Sequence, residues 1–311
     1  MFEHGYPERV YIREVCPRDG FQNLPKQLAT EDKIALVDAM AETGISTMEV
    51  TSFVSPKAIP QMIDAAQVMA HFNSRWNGRI RSVVLVPNLK GAHRALESEP
   101  DELNFVISAS EAHNQANTRR SVQESLDELA KVAAIRGNVS LELSVATSFE
   151  CPFDGPVQPK AVRRVIEAAL DIGINGITLA DTIGTCDPRM LVEILEDVCS
   201  CFMETPCTLH LHDTHGMALI NAVAAMELGF CRFDTAVGGL GGCPFAPGAA
   251  GNLATEDMVN FLHRIGVETG LDLRSVLQVS ETMKTMGLPV NSHLSAASSI
   301  CSRATEEEEG P

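Results

Sequence analysis

Short runs rich in β-branched and aliphatic residues alternate with segments of helical period along most of the chain. The runs Val10–Val15, Thr47–Ser52, Ser82–Val86, Asn104–Ser108, Val139–Val145, Gly176–Leu179, Thr208–His212 and Phe233–Val237 are each of strand length, and each precedes a helical pattern. Eight βα units in succession predict a parallel sheet of the α/β class. With no Pro/Ser-rich linker dividing the series, one closed (β/α)8 TIM barrel is favoured over two doubly wound halves. Thr30 is expected to cap a helix that has Glu31 and Asp32 in its first turn, Ile34, Val37 and Met40 along one face, and Gly44 as its stop. Ser121-x-x-Glu124 reads as a capping box, and Asp187 before Pro188 as a cap followed by proline at the first helical position. Thr255-Glu256-Asp257 opens the last helix of the series. Beyond it, Val276, Val279, Met283 and Met286 predict one more amphipathic helix. The barrel is therefore assigned to residues 1–270. A short C-terminal helical extension, 271–311, packs on it or trails from it, and the Glu306–Glu309 run before the final Gly-Pro reads as a solvated, disordered end.

Hydrophobic residues are 45% and charged residues 21% of the 311 positions, enough for a sizeable core and incompatible with wholesale disorder. No stretch approaches the roughly 20 uninterrupted apolar residues that span a bilayer. The opening MFEHGYPERV has neither the apolar core of a signal peptide nor the Arg/Ser bias of a transit peptide. No membrane partner is expected. With 24 Lys+Arg against 41 Asp+Glu the net charge is −17, which repels phosphate backbones and argues against nucleic acid as a partner. Nine cysteines without CxxC pairing point to free thiols in a reducing compartment, hence the cytoplasm.

In a parallel α/β barrel the C-terminal strand ends and the loops beyond them build the active site. The polar residues there are Arg18, Asp19, Glu49, Ser110, Glu111, His113, Asp181, His210 and His212, followed by a glycine-rich loop that carries Cys243 and Asn252. His210 and His212 are two apart on one strand, so both imidazoles point into the barrel mouth while Leu211 points to the helix layer. They are either a hydrogen-bonded core pair or metal ligands, and two converging imidazoles are hard to satisfy without a ligand. With Asp19 and Asn252 the set is mixed O/N, which suits a hard divalent cation with open positions, Mg2+ or Mn2+. Arg18-Asp19-Gly20 is either an ion pair in a tight turn or a ligand, Asp19, beside an oxyanion-stabilising cation, Arg18. Glu49 lies within an apolar strand and must be paired, so it anchors Arg18 or is a functional acid. The loop Gly238-Gly239-Leu240-Gly241-Gly242-Cys243 either cradles a phosphate with backbone N–H groups or is a mobile flap that delivers Cys243 to the reaction centre.

These residues fall in a wider set of blocks. They are Val15-Cys16-Pro17-Arg18-Asp19-Gly20-Phe21-Gln22-Asn23, Thr51-Ser52-Phe53-Val54-Ser55-Pro56-Lys57, Pro87-Asn88-Leu89-Lys90-Gly91, Asp181-Thr182-Ile183-Gly184 and His210-x-His212-Asp213-Thr214-x-Gly216. The last runs from the glycine loop to Gly251-Asn252-Leu253-Ala254-Thr255-Glu256-Asp257. Together, in order and over nearly the whole chain, they resemble the hydroxymethylglutaryl-CoA lyases, barrel metallolyases related to the isopropylmalate and homocitrate synthases. The resemblance implies cleavage of 3-hydroxy-3-methylglutaryl-CoA to acetyl-CoA and acetoacetate, and a place in leucine breakdown. It implies Asp19, His210, His212 and Asn252 as ligands of a divalent cation, Arg18 as the enolate stabiliser, Glu49 as a catalytic carboxylate and Cys243 as a mobile acid/base thiol. Gln22, Thr178 and Asp181 are the expected substrate contacts, the small-molecule partner is an acyl-CoA, and a homo-oligomer, by family a dimer, is expected.

The chain departs from the family at Cys16 (usually Gly), Phe21 (Leu), Thr178 (Ser), Ala180 (Gly) and His215 (Tyr). Because Cys16, Phe21 and Thr178 neighbour pocket residues, a related 3-hydroxyacyl-CoA stays open, either one with a longer C3 substituent or citramalyl-CoA. A condensing synthase is disfavoured, since Pro247-Gly248-Ala249-Ala250-Gly251-Asn252 replaces the charged segment those relatives carry and no large regulatory domain follows. An amidohydrolase would place its H-x-H on the first strand, not the seventh. A barrel that only binds acyl-CoA has no need of the full set of reactive residues.

Overall fold

The computed structural model describes residues 5–199, 205–242 and 251–297. Eight parallel strands close into a barrel in chain order: β1 (Tyr11–Glu14), β2 (Thr47–Ser52), β3 (Arg81–Val86), β4 (Glu102–Ser108), β5 (Ser140–Ala146), β6 (Gly176–Asp181), β7 (Cys207–Leu211) and β8 (Arg232–Thr235). Every expected strand is present, with ends displaced by no more than two residues. The barrel shuts where β8 pairs with β1, Ile12 beside Phe233 and Arg13 beside Asp234.

Helices α1 (Thr30–Ala41), α2 (Ala65–Trp76), α3 (Leu89–Leu96), α4 (Glu111–Thr118), α5 (Val122–Ile135), α6 (Pro159–Ile172), α7 (Pro188–Cys199), α8 (Ala218–Glu227) and α9 (Thr255–Arg264) surround it, and α10 (Leu273–Thr285) follows. One parity of the strands is apolar and fully buried against those helices: Met48 and Val50, Leu103 and Phe105, Leu141 and Leu143, Ile177 and Leu179, Leu209 and Leu211. The other parity fills the barrel with polar groups, among them Arg13, Glu49, Asn104, Glu142, Thr178, His210 and Asp234, all buried. Aliphatic layers are the usual filling. Here the interior is a hydrogen-bonded network, and it forms the floor of the site.

The helix signals held except at two positions. The Ser121/Glu124 capping box is formed, and Asp187 Oδ1 accepts from the N–H groups of Arg189 and Met190, both at 2.9 Å. Thr30 is not the cap of α1; Ala29 takes that place, because the Thr30 hydroxyl donates to Asp64 Oδ2 (2.9 Å) beside the buried Lys33–Asp64 pair. Met286 lies just past α10 and is exposed, whereas Val276, Val279 and Met283 are buried.

The segment after α10 folds back on the barrel. Asp257 accepts from Ser292 Oγ and from the N–H groups of His293 and Leu294, and Asn291 N–H donates to the Gly238 carbonyl at 2.7 Å. Glu256 bridges the same two regions, accepting from Gly238 N–H and from Ser295 Oγ, both at 3.0 Å. The Glu306–Glu309 tail lies outside the described residues. Among the described residues no helix is long and apolar enough to cross a membrane.

Candidate active site

β1 ends in a single π-helical turn, Cys16–Gly20, in which the N–H groups of Arg18, Asp19 and Gly20 converge on the Val15 carbonyl at 3.2, 2.8 and 3.4 Å. This tight wrap carries Arg18 and Asp19 into the barrel mouth, where both are buried. His210 comes from β7 and His212 follows immediately after it. The chain returning from the glycine-rich loop is stitched across the ends of β7 and β8. Asp213 N–H donates to Gly251 (2.9 Å), Leu253 N–H to Leu211 (3.0 Å) and Ala236 N–H to Leu253 (3.0 Å), which sets Asn252 opposite His212.

The two imidazoles face each other with their Nε2 atoms 3.1 Å apart, and Asp19 Oδ2 lies 4.0 Å from His212 Nε2. One ligand atom from each of Asp19, His210 and His212 lies within 4.8 Å of the other two. Asn252 Nδ2 donates to Asp19 Oδ2 (2.7 Å) and to the Leu240 carbonyl (2.8 Å), while Asn252 Oδ1 is buried with no hydrogen-bond partner. Two ring nitrogens, a carboxylate and an orphaned amide oxygen gathered in one buried place are what a hard divalent cation satisfies. The residues fit a metal. Gly241 roofs this set: at φ +116° a Cβ there would come within 2.3 Å of Asn252 Nδ2 and 2.9 Å of Asp19 Oδ2, so no side chain fits.

Arg18 is shared between two carboxylates. It bonds Asp19 Oδ1 through Nη1 and Glu49 Oε2 through Nε, the latter at 2.5 Å. Glu49 in turn accepts from Asn104 Nδ2 (2.8 Å), and Asn104 Oδ1 accepts from Ser144 Oγ (2.8 Å). Gln22 Nε2 donates to Asp19 Oδ1 at 2.8 Å. Burial pushes the Asp19 carboxyl up, but Arg18 and the two histidines outweigh it and hold it below its ordinary range. Burial and the neighbouring His210 lower His212 to about 4, leaving a neutral imidazole. Burial pushes His210 down as well, but its hydrogen bond to Asp234 and the charges of Asp234 and Asp19 together outweigh it and raise the ring.

The cavity above this floor has a volume of about 430 Å³ and is lined by Arg18, Asp19, Gln22, Thr178, His210 and His212, by His113, Asn117 and Arg120, and by apolar groups such as Val54, Ile59, Leu85 and Val106. Of the residues expected from sequence, Glu49 and Asn252 support it from behind. Asp181 is not among the lining residues. Thr178 and Ala180 line the cavity, so the alternation along β6 turns Asp181 to the opposite face, where it accepts from Gly184 N–H (3.1 Å) and Cys186 N–H (3.3 Å) and shapes the turn. Cys243 lies outside the described residues. Sequence reasoning missed Arg13, Asn104, Glu142 and Asp234, which lie in mid-strand. The available signal was polar residues at a spacing of two: Glu102 and Asn104, Glu142 and Ser144, Arg232 and Asp234.

The family profile described as HMGL-like matches residues 9–283. The chain belongs to the HMGL-like family. Within it, the hydroxymethylglutaryl-CoA lyase of Bacillus subtilis is 41% identical over 290 residues, covering 92% of this chain and 96% of that protein. The (R)-citramalyl-CoA lyase of Chloroflexus aurantiacus is 36% identical over 294 residues, 91% of this chain and 93% of its own length. Among solved structures of the family, an HMG-CoA lyase from Acinetobacter baumannii in complex with coenzyme A and 3-methylmalate superposes with a TM-score of 0.89 at 42% identity, covering 93% of this chain and 95% of that one.

Proposed function

We propose that this chain is a metal-dependent carbon–carbon lyase that cleaves 3-hydroxy-3-methylglutaryl-CoA to acetyl-CoA and acetoacetate. The observation that carries this reading is the meeting of a cation-ready donor set, Asp19, His210, His212 and Asn252, with the Arg18 guanidinium at the floor of one cavity. The solved relative that holds coenzyme A and 3-methylmalate supports an acyl-CoA substrate. A bound Mg2+ or Mn2+ would act as a Lewis acid toward the oxygens of the substrate. In the reaction the C3 hydroxyl passes its proton to water, C3–O becomes a ketone, the C2–C3 bond breaks and its electron pair passes to the thioester as an enolate; the thiol that protonates that enolate recovers its proton from water. Arg18, fixed by Glu49 on one side and Asp19 on the other, presents its remaining N–H groups to that developing negative charge. Cys243 is the proposed donor of the proton that completes the acetyl methyl group. Gln22 and Thr178, both on the cavity lining, are the proposed substrate contacts; Asp181 lies off that lining and holds the β6–α7 turn. The same reading makes the protein a cytoplasmic homodimer.

A second substrate is favoured by one comparison, the citramalyl-CoA lyase relative, together with the unusual Thr178 and Ala180 on the cavity wall. Acetyl-CoA release from a panel of 3-hydroxyacyl-CoAs separates the two. Fastest turnover is expected with 3-hydroxy-3-methylglutaryl-CoA. A citramalyl-CoA preference would leave the reaction type standing and change the substrate, and no acetyl-CoA from any member would refute the lyase reading.

A further inference from the structure

Directly beneath the paired histidines, inside the barrel, lies a buried guanidinium. Arg13 Nε donates to Asp234 Oδ1 at 2.7 Å and Nη2 to Asp234 Oδ2 at 2.9 Å, a two-pronged contact across the β1–β8 seam. Its other donors are taken by Glu142 Oε1 (2.7 Å) and Thr178 Oγ1 (2.9 Å), from β5 and β6. Asp234 Oδ2 is also 3.0 Å from His210 Nδ1. Three strands thus fix one planar fork carried by a fourth, the fork fixes one carboxylate, and the carboxylate meets the edge of His210 that points away from His212.

We propose that Arg13 and Asp234 are positioning residues that hold His210 in the tautomer carrying its proton on Nδ1, so that the Nε2 lone pair points to the cation site. The proposal rests on the metal-binding reading above. A neutral imidazole has one N–H and one lone pair, and the hydrogen bond made by one nitrogen decides which role is left to the other. An ionised carboxylate only accepts, so it enforces Nδ1–H; a carboxyl that turned or took a proton would not. Arg13 supplies that constraint. Its flat fork matches both carboxylate oxygens, which a lysine ammonium cannot do. Partners of this kind behind a ligating histidine govern metal affinity as well as orientation.

The test uses the metal-free full chain, with Mn2+ affinity read by electron paramagnetic resonance and the His210 tautomer by 15N-histidine NMR at about pH 9, where the ring has given up its second proton. The wild type is expected to show the Nδ1–H form. Asp234→Asn keeps the shape but has one acceptor oxygen. Both Arg13 donors claim it, the amide N–H2 turns to His210, and the ring is driven to Nε2–H. Mn2+ affinity should fall about 10–100-fold. Arg13→Met combined with Asp234→Asn frees the amide oxygen to accept from Nδ1–H and should recover most of that loss, whereas a purely structural role predicts a further loss. Should the double variant fail to fold, the single variant's spectrum and affinity decide. An Asp234→Asn protein with wild-type affinity and an unchanged tautomer overturns the proposal, as does a folded double variant that binds no more tightly than the single one. A wild type that shows Nδ1–H yet binds no Mn2+ refutes the metal reading and this proposal with it. A wild type that binds Mn2+ but shows Nε2–H beforehand refutes this proposal alone.

Discussion

At the scale of single residues, the site is built from charges that neutralise one another before substrate arrives. Arg18 is nearly buried between Glu49 and Asp19, and a buried cation so placed costs little further reorganisation when negative charge forms beside it. Arg18→Gln should therefore lower kcat by about 10²–10³ with a much smaller change in KM, the signature of an interaction made in the transition state. Steady-state kinetics on the preferred acyl-CoA checks this, and a variant that only raises KM would reduce Arg18 to a binding group. Of the two roles the sequence offers Glu49, the anchor is visible: its carboxylate holds Arg18 directly, through the 2.5 Å contact to Nε.

At the scale of elements, the proposed cation ligands depend on a glycine-rich crossing. Gly241 approaches the Asn252 amide and the Asp19 carboxylate so closely that a single methyl group has no room. Gly241→Ala is expected to displace Asn252 and weaken Mn2+ binding, while the barrel strands, whose ladder does not run through Gly241, keep their melting cooperativity. Calorimetry of Mn2+ binding beside thermal unfolding tests both halves, and wild-type Mn2+ affinity would contradict the placement of Asn252. The strand ends that carry Arg18, Asp19, His210 and His212 were legible because polar residues interrupt apolar runs there. The interior network was not. Arg13, Glu142 and Asp234 are separated by large sequence distances and become neighbours only when β8 closes on β1, so no local pattern pairs them. Asp181 shows the converse: it is a polar residue at a strand end, but its parity sends it to the helix side.

At the scale of the whole molecule, the acidic balance is also present inside. Burial raises Glu14, Glu102 and Asp181 each to about 7. Unfolded, these groups titrate near their ordinary 4.5 and 3.8, so between those values and about 7 the folded chain holds more protons than the unfolded one. These three carboxylates make stability fall as pH rises through that window, and they outweigh His113 and His212, which at about 4 work the other way only below 6.5. Asp234, held at about 2, has the opposite sign, with stability present above 3.8 and lost as pH falls toward 2. Lowering the pH from about 8 to about 5.5 should raise the melting temperature, and acidification below about 4 should lower it. A melting temperature that instead climbs steadily from pH 5.5 to 8 would show that these carboxylates are ionised in the fold. The central claim is that Asp19, His210, His212 and Asn252 hold the cation on which carbon–carbon cleavage depends. The most direct measurement is lyase activity of chelator-treated protein titrated with Mn2+, for the wild type and for His212→Ala. Activity that is lost on chelation, returns with one equivalent of Mn2+ in the wild type, and stays absent in folded His212→Ala at the same concentration is the predicted result; full activity in the chelated wild type, or in His212→Ala, would contradict it.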